Sequence, residues 1–363
     1  MTAAWPLGPF TDGGTVLGPD PDAAFECPVA GTRVAWAAKD VFNPAAIVRD
    51  GALHLLVRAE DRVGPSAGTS RIGLAVSDDG VAFSLRPEPV LFPDRGPWLP
   101  WEWPGGCEDP RVVESPEGGY VCCYSAFDGK SSCLMVATSD DLVHWEKHGP
   151  AFAGTPFARR WSKSGSIVTV VEDDRLVAAR IEGRFHMYWG EGTCFLATSD
   201  DLVHWVPAQF DPGADRYLTA APAARPGAGS WEVHTVAGAP ALRPVLVPRP
   251  TRFDSLLVEP GPPALLSEHG IVLVYNGAEL RRHEGRTTGV AYRPGQALFD
   301  PCEPGSAIAR CTEPFVLAAP HDLQGQVEQV CFAEGLALFR GTWFLYYGMA
   351  DSRIGYATAA CTS

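Results

Sequence analysis

The chain has 363 residues and a formal net charge of −14, and 46% of its residues are hydrophobic while 20% are charged. A chain of this length forms one large domain or two smaller ones, and its composition is that of a globular protein. The acidic excess argues against non-specific binding to nucleic acid or to an anionic membrane. No stretch approaches the roughly 18 consecutive apolar residues that a membrane-spanning helix needs.

The N-terminus and the cysteines predict a cytoplasmic protein. Residues 1–18 lack the basic and then apolar layout of a secretory signal. The ten cysteines include no CxxC pair and no His/Cys spacing typical of a metal site. Cys122 and Cys123 are adjacent in an apolar, strand-like run, which directs their side chains to opposite faces. We therefore expect buried, reduced thiols, no bound metal and no cofactor.

An apolar run that ends in a polar turn, Ser-Asp-Asp in the clear copies, recurs along the chain. Three clear copies and two weaker ones follow an irregular lead-in over residues 1–40, and they share an alanine at Ala75, Ala137, Ala197, Ala291 and Ala357. The spacings are 62, 60, 94 and 66 residues, and the longest includes the Ala/Pro/Gly-rich segment 211–240. The sequence therefore indicates five units of about 62 residues, with an insertion at 211–240 between the third and the fourth.

Each unit contains short, β-branched apolar runs that are bounded by turns. Helical periodicity is absent. Four strands repeated five times predict an all-β fold, a five-bladed β-propeller with four-stranded antiparallel blades around a central funnel, over a single domain 1–363. The repeat length and the missing Gly-His and Trp-Asp pairs exclude WD40 repeats. We interpret the Ser-Asp-Asp turns, with the Trp that follows, as structural caps and not as catalytic groups.

Polar residues beside Pro or Gly recur at the ends of the predicted inner strands. Because blades begin near the axis, these side chains are expected to converge on one funnel. The candidates are Asn43, Arg58, Glu60, Asp61, Asp109, Arg111, Lys163, Ser164, Glu191, Glu259, Asn276, Glu334 and Asp351. Any one of them alone is more often a salt bridge or a turn cap, but capping does not explain eight or more at equivalent positions. Carboxylates and arginines with aromatic walls suit a sugar.

Six motifs together resemble glycoside hydrolase family 130. They are Phe42-Asn-Pro-Ala, Val57-Arg-Ala-Glu-Asp61, Gly106-Cys-Glu-Asp-Pro-Arg111, Met187-Tyr-Trp-Gly-Glu191, Glu259-Pro-Gly-Pro-Pro263 and Tyr346-Tyr-Gly-Met-Ala-Asp351. The resemblance covers about residues 40–363. It implies a five-bladed propeller that acts on β-mannosides, either as a phosphorylase or as a β-1,2-mannosidase.

Two positions distinguish the activities of this family. Its phosphorylases resemble one another in having a Lys where this chain has Glu259, and Tyr-His-Gly where it has Tyr275-Asn276-Gly277. Both replacements remove phosphate ligands, and a carboxylate at position 259 repels phosphate. The same carboxylate is what an activated water needs. The chain is therefore similar to the hydrolase branch, which carries glutamates at the Glu191 and Glu259 positions.

The resemblance implies an inverting hydrolase of manno-oligosaccharides with Glu191 and Glu259 as the catalytic carboxylates. Inverting enzymes hold such groups roughly 6.5–9.5 Å apart, and either glutamate could be the acid. Asp109 matches the proton donor of the phosphorylases, so it either keeps that role or binds the sugar. The further expected sugar ligands are Asn43, Arg58, Asp61, Arg111, Lys163, Ser164, Tyr188, Asn276, Glu334 and Asp351.

Three alternatives stay open at this point. One is a phosphorylase that binds phosphate through Arg111, Lys163 or Arg180. Another is a furanosidase of the related five-bladed families, with Asp109 and Glu191 as its catalytic pair. The third is a non-catalytic sugar-binding or scaffold propeller, which would bind a ligand without turnover.

Overall fold

A computed structural model describes residues 5–62, 68–210, 241–283, 286–315, 317–319 and 322–361. In this part of the chain there are 26 strands and a single helix, α1 (Leu99–Glu102). The prediction of an all-β protein is therefore confirmed, apart from this one short helical turn. The predicted insertion 211–240 lies outside the described residues. Nowhere in the described ranges does a helix have the length and apolar character to cross a membrane.

Three short strands lie in the segment that was predicted to be an irregular lead-in. They are β1 (Thr11–Leu17), β2 (Phe25–Cys27) and β3 (Thr32–Val34), of which β2 and β3 form an antiparallel pair. The prediction was wrong for these strands because their pattern is weak: β1 is mostly exposed and contains Gly13 and Gly14. Its strand conformation comes from pairing with a distant partner, which a local reading does not detect.

Two antiparallel meanders follow in chain order. The first consists of β4 (Asp40–Arg49), β5 (Ala52–Glu60), β6 (Ser70–Ser77) and β7 (Ser84–Leu85). The second consists of β8 (Gly106–Glu114), β9 (Tyr120–Phe127), β10 (Ser132–Ser139) and β11 (Glu146–Pro150), with α1 preceding it.

The third and fourth meanders contain extra short strands. The third has β12 (Gly165–Glu172), β13 (Arg175–Ala178), β14 (Arg180–Ile181), β15 (Arg184–Trp189), β16 (Cys194–Ser199) and β17 (Trp205–Pro207), and β18 (Pro244–Leu246) pairs with β16. The fourth has β19 (Leu257–Pro260), β20 (Ala264–Ser267), β21 (Gly270–His283), β22 (Arg286–Phe299) and β23 (Ala307–Arg310).

The fifth meander uses both ends of the described chain. It pairs β24 (Cys331–Phe339), β25 (Thr342–Met349) and β26 (Arg353–Ala360) in sequence, and β1 completes it by pairing antiparallel with β26. Every residue of β24 is buried. β24 therefore reads as a mainly apolar run and not as an alternating pattern.

The hydrophobic core consists of five clusters in the described residues, each shared by two successive meanders. Leu55 and Val57 of the first meander pack with Phe344 of the fifth, while Leu56 lies in the cluster shared with Tyr124 of the second. The other three clusters join the second meander to the third, the third to the fourth and the fourth to the fifth. Each meander therefore packs against the next one in the chain, and the fifth packs against the first.

The Ser-Asp-Asp turns are structural, as predicted. Ser139 Oγ accepts the backbone N–H of Leu142 at 2.9 Å, and Asp141 Oδ1 accepts the two N–H groups that follow. Ser199 and Asp201 repeat these bonds one meander later. All ten cysteines are free thiols and eight of them are buried, which confirms the expectation for those eight.

Candidate active site

Asn43 and Asp109 occupy equivalent positions near the starts of β4 and β8. Each precedes a proline, each has a left-handed backbone with φ of 45° and 46°, and each lies at an irregularity in its strand pairing. Asn and Asp tolerate this conformation better than most residues, and such bulges redirect a side chain. The two side chains meet, since Asn43 Nδ2 donates to Asp109 Oδ1 at 2.9 Å.

Arg58 and Lys163 lie between carboxylates at this point. Arg58 donates to Asp109 Oδ1 at 2.8 Å, to Glu60 Oε1 at 2.9 Å and to Glu108 Oε1 at 3.0 Å. Lys163 Nζ donates to Glu108 Oε2 at 2.9 Å and lies 3.7 Å from Asp109 Oδ2. Burial by itself would raise the pKa of Asp109, but the charges of Arg58, Lys163 and Arg111 hold that pKa well below its usual range. Asp109 is therefore an ionised acceptor.

Arg111 connects several meanders beneath these groups. Its guanidinium donates to the carbonyls of Asp109, Lys163, Pro260 and Gly261 at 3.0–3.2 Å. One of its terminal nitrogens also lies 2.8 Å from Glu334 Oε1, an ionic contact that lacks hydrogen-bond geometry. Burial raises the pKa of Glu334 well above its usual value, although Arg111 opposes the shift. We infer that Arg111 mainly holds the base of the site together.

Glu191 and Glu259 are two acidic residues of the site whose carboxyl groups have raised pKa values. Glu259 lies in β19, is only 3% exposed and accepts a hydrogen bond from Ser164 Oγ. Burial and the negative charge of Glu191 raise the pKa of Glu259 to about 8. Burial also raises the pKa of Glu191, although Lys163 and a hydrogen bond from the Trp161 indole oppose this shift. The pKa of both carboxyls is therefore raised, and the charge of Glu191 contributes to the shift of Glu259.

Asp351 and Tyr292 complete the described site. Asp351 follows β25 with a φ of 51°, and burial raises its pKa to about 6. Tyr292 lies in β22, and burial together with the charges of Glu259, Glu191 and Asp351 raises the pKa of its phenol. The phenol is therefore within the electrostatic reach of these three carboxylates.

Residues 29–219, more than half of the chain, match the family model Glyco_hydro_130, described as beta-1,4-mannooligosaccharide phosphorylase. This chain belongs to glycoside hydrolase family 130. The family acts on mannosidic linkages, so the chain is an enzyme of a mannoside-processing family.

Relatives within family 130 include enzymes with both types of name. A 1,2-beta-oligomannan phosphorylase of Thermoanaerobacter sp. (strain X514) is 29% identical over 89% of this chain and 90% of that protein. A glycosyl hydrolase structure from Bacteroides ovatus is 39% identical, with a TM-score of 0.81 over 95% of this chain and 91% of that one. A third structure, 38% identical with a TM-score of 0.85 over 100% and 98%, comes from work on family 130 glycoside hydrolases that target beta-1,2 mannosidic linkages in Candida mannan.

Three of the sequence-based candidates have their polar groups bound elsewhere in this family 130 fold. Asp61 forms an ion pair with Arg71 at 2.6 Å. Tyr188 packs in the cluster between the third and fourth meanders, and its hydroxyl donates to the Pro304 carbonyl at 2.8 Å. Asn276 bonds to backbone groups of β24. In the described residues these polar groups contact neighbouring elements, and the role of the three residues as sugar ligands stays a prediction.

Three site residues were not assigned a role from the sequence: Glu108, Trp161 and Tyr292. Glu108 is adjacent to Asp109 and bonds both Arg58 and Lys163, so the motif itself contained the signal. Trp161 comes directly before Ser162-Lys163-Ser164, which contains two of the candidate residues. Tyr292 ends the weak repeat copy Thr288-Gly-Val-Ala-Tyr, and its approach to the site depends on the length of β22.

Carboxylates outnumber cations in this part of the family 130 site. Among the described residues, four cations face the carboxylates of Glu60, Glu108, Asp109, Glu191, Glu259, Glu334 and Asp351, and they are Lys39, Arg58, Arg111 and Lys163. Within the described ranges, no group of three or more His, Cys, Asp or Glu side chains could hold a metal ion. The arrangement suits proton transfer and the binding of hydroxyl groups.

Proposed function

We propose that this enzyme hydrolyses β-mannosides, specifically β-1,2-linked manno-oligosaccharides, with inversion at the anomeric carbon. The observation that carries the proposal is that two glutamates act in one site: burial and the charge of Glu191 raise the pKa of Glu259 to about 8. A hydrolase of the inverting type needs one protonated and one ionised carboxyl at the same pH. We assign the protonated role to Glu259 and the ionised role to Glu191.

We further propose that the five meanders are the blades of a five-bladed propeller and that the site lies in its funnel. The support comes from the five apolar clusters, each of which is shared by two successive meanders. Residues of the first strands of the first two meanders meet at the site, as Asn43 and Asp109 do.

The charge balance favours water over phosphate as the nucleophile. Arg58 and Lys163 are already bound by Glu60, Glu108 and Asp109, and Arg111 is bound by carbonyls and by Glu334. Arg180, a candidate phosphate ligand, instead donates to the carbonyls of Gly183 and Asp200. A phosphate would therefore enter beside carboxylates, where it is repelled.

The environments of the two glutamates support different roles. Glu259 is the more buried and has the raised pKa, so in this proposal it protonates the glycosidic oxygen as the bond from the anomeric carbon to that oxygen breaks. Glu191 is stabilised in its ionised form by Lys163 and by the Trp161 N–H. It accepts a proton from the water whose oxygen bonds to the anomeric carbon. The products are mannose of inverted configuration and the shortened oligosaccharide or free sugar.

Asp109 acts in this proposal as a hydroxyl acceptor and not as the proton donor. Its ionised state is fixed by Arg58 and Lys163, and a carboxylate in that state accepts hydrogen bonds only. The same argument weakens the furanosidase alternative, which requires Asp109 and Glu191 as its acid and base pair.

The experiment is turnover of β-1,2-mannobiose by the wild type and by Glu259→Gln, with and without inorganic phosphate. We expect free mannose without phosphate, in the inverted anomeric form by NMR, and loss of turnover in the variant. Phosphorolysis is the second candidate because of the phosphorylase relative. Mannose 1-phosphate that forms only when phosphate is added would replace our proposal with that activity.

A further inference from the structure

Trp161 lies at the edge of the site, where its indole N–H is bonded to a site carboxylate and part of the residue is exposed to solvent. Its indole Nε1 donates a hydrogen bond to Glu191 Oε2. At the same time 37% of the residue is exposed, which is unusual for an aromatic residue in the described ranges. An exposed aromatic ring at the mouth of a site that binds sugars can act as a stacking surface.

The position of Trp161 is fixed by the second meander. Trp161 forms an isolated antiparallel bridge with Cys133, and the next residue, Ser162, donates its N–H to the Ser132 carbonyl at 3.2 Å. The Ser162 and Ser164 hydroxyls are fully buried below it. The backbone at Trp161 is therefore held by hydrogen bonds to the second meander, so its indole can hold Glu191 in one orientation.

We propose that Trp161 is a positioning residue for Glu191 and that its exposed ring binds a sugar unit of the substrate by stacking. This inference rests on the proposed function, because it takes Glu191 as the base. The N–H bond occupies Oε2 and leaves Oε1 to accept the proton of the attacking water. The ring limits the access of bulk water to the carboxylate and supplies an apolar face beside it.

The effect of the N–H on Glu191 has a definite sign. A hydrogen bond donated to a carboxylate stabilises its ionised form and lowers its pKa, so loss of the N–H raises the pKa of Glu191. The other titratable or charged groups that act on Glu191 are Lys163, Asp109, Glu108, Glu259 and Tyr292. All of them remain when only Trp161 is replaced, so a change in the pH profile can be assigned to the indole.

Two replacements separate the two parts of the proposal. Trp161→Phe keeps an aromatic ring but removes the N–H donor. We expect the acid limb of its kcat profile to move to higher pH by roughly one unit, with KM for β-1,2-mannobiose changed less than about twofold. Trp161→Ala removes both features, and we expect the same shift together with a rise in KM of about tenfold.

The control is Val206→Ala, which shortens another exposed apolar residue, on β17 and outside the site. Thermal unfolding of all three variants checks that they fold. An unmoved acid limb in Trp161→Phe would overturn the positioning role. Equal KM values for Trp161→Phe and Trp161→Ala would overturn the stacking role.

The two proposals can fail separately. If the wild type turns out to need phosphate, the proposed hydrolysis is wrong, but both comparisons can still be made in the phosphorolytic assay. Binding of β-1,2-mannobiose to Glu259→Gln, followed by intrinsic fluorescence, gives a readout that does not need turnover. We expect the fluorescence change to be strongly reduced when Trp161→Phe is added, and an unaltered change would contradict contact with the sugar.

Discussion

Asn276 binds both backbone groups of Ala333. Its Nδ2 donates to the Ala333 carbonyl at 2.9 Å and its Oδ1 accepts the Ala333 N–H at 2.8 Å. Ala333 directly precedes Glu334, and both Asn276 and Glu334 are fully buried. The amide therefore ties β21 of the fourth meander to β24 of the fifth, at the point where Glu334 approaches Arg111.

Replacing Asn276 should affect stability more than substrate affinity. Asn276→Ala leaves a buried N–H and a buried carbonyl without partners, and we expect a loss of about 2–5 kcal/mol in the free energy of unfolding. Chemical denaturation measures this loss. Asn276→Asp is the matched variant, because it keeps the acceptor for the Ala333 N–H and removes the donor. A normal unfolding free energy with a raised KM would show instead that Asn276 binds the sugar.

Replacing Arg111 with lysine should destabilise the fold although the charge is kept. The guanidinium bonds carbonyls from three meanders and contacts Glu334 of the fifth, which a single ammonium cannot reproduce. We expect a loss of about 2–4 kcal/mol, since a buried acid is left poorly matched. Arg180→Lys, on the exposed side of the third meander, is the control. Equal denaturation midpoints for the two variants would contradict the structural role.

Glu259 should make stability depend on pH in a predictable direction. Burial and Glu191 raise the pKa of Glu259 to about 8, whereas an unfolded chain has a Glu pKa of about 4.3. The stability contributed by this group is fully present below the unfolded pKa and is lost as pH rises through the folded pKa. The Tm of the wild type should therefore fall, relative to the Tm of Glu259→Gln, as pH rises from 5 to 9. We expect the difference between the two Tm values to change by a few degrees over this range.

Scanning calorimetry across that range tests this expectation. Glu117→Gln serves as the control, because Glu117 is largely exposed and its carboxylate pairs with the side chain of Arg180 at 3.5 Å. Parallel Tm curves for the wild type and Glu259→Gln would mean that Glu259 stays ionised in the folded protein.

Asp109→Asn should weaken turnover without removing either limb of the pH profile. Arg58 and Lys163 keep Asp109 ionised, so in the proposed mechanism Asp109 does not titrate in the working range. Asp109→Asn disturbs the hydrogen bonds that Asn43 and Arg58 donate to Asp109. We therefore expect kcat/KM to fall about a hundredfold. Measurement of kcat/KM against pH checks this. Loss of the alkaline limb would identify Asp109 as the proton donor.

The sequence predicted that polar residues beside Pro or Gly at the ends of strands converge, and in the structure two such residues before Pro meet. Asn43 and Asp109 are the examples. The sequence-based choice of site residues was less reliable where neighbouring residues of one motif point to opposite faces of a strand. Arg58 and Glu60 are two residues apart and share a face, whereas Asp61 turns to Arg71. The period of two along a strand contained this information.

Contacts between distant strands could not be read from local patterns. Tyr188 lies in the motif that ends at Glu191, but it belongs to β15, and its ring packs 4.6 Å from Phe299 of β22. Tyr292 lies in the β21–β22 hairpin, which pairs over 13 positions and is much longer than the other strands of that meander. The apolar pattern of the sequence predicts neither the length of the β21–β22 hairpin nor the residues that pack against it.

The pairing of β1 with β26 has a consequence for how the chain is made. The residues of β1 precede those of β26 by most of the sequence, so β1 is synthesised well before the strand with which it pairs. An unpaired strand edge invites association with other chains. Register shifts at Asp12/Gly14 and Thr15/Leu17, together with the exposed, glycine-containing face of β1, make it a poor template until the rest of the fifth sheet exists.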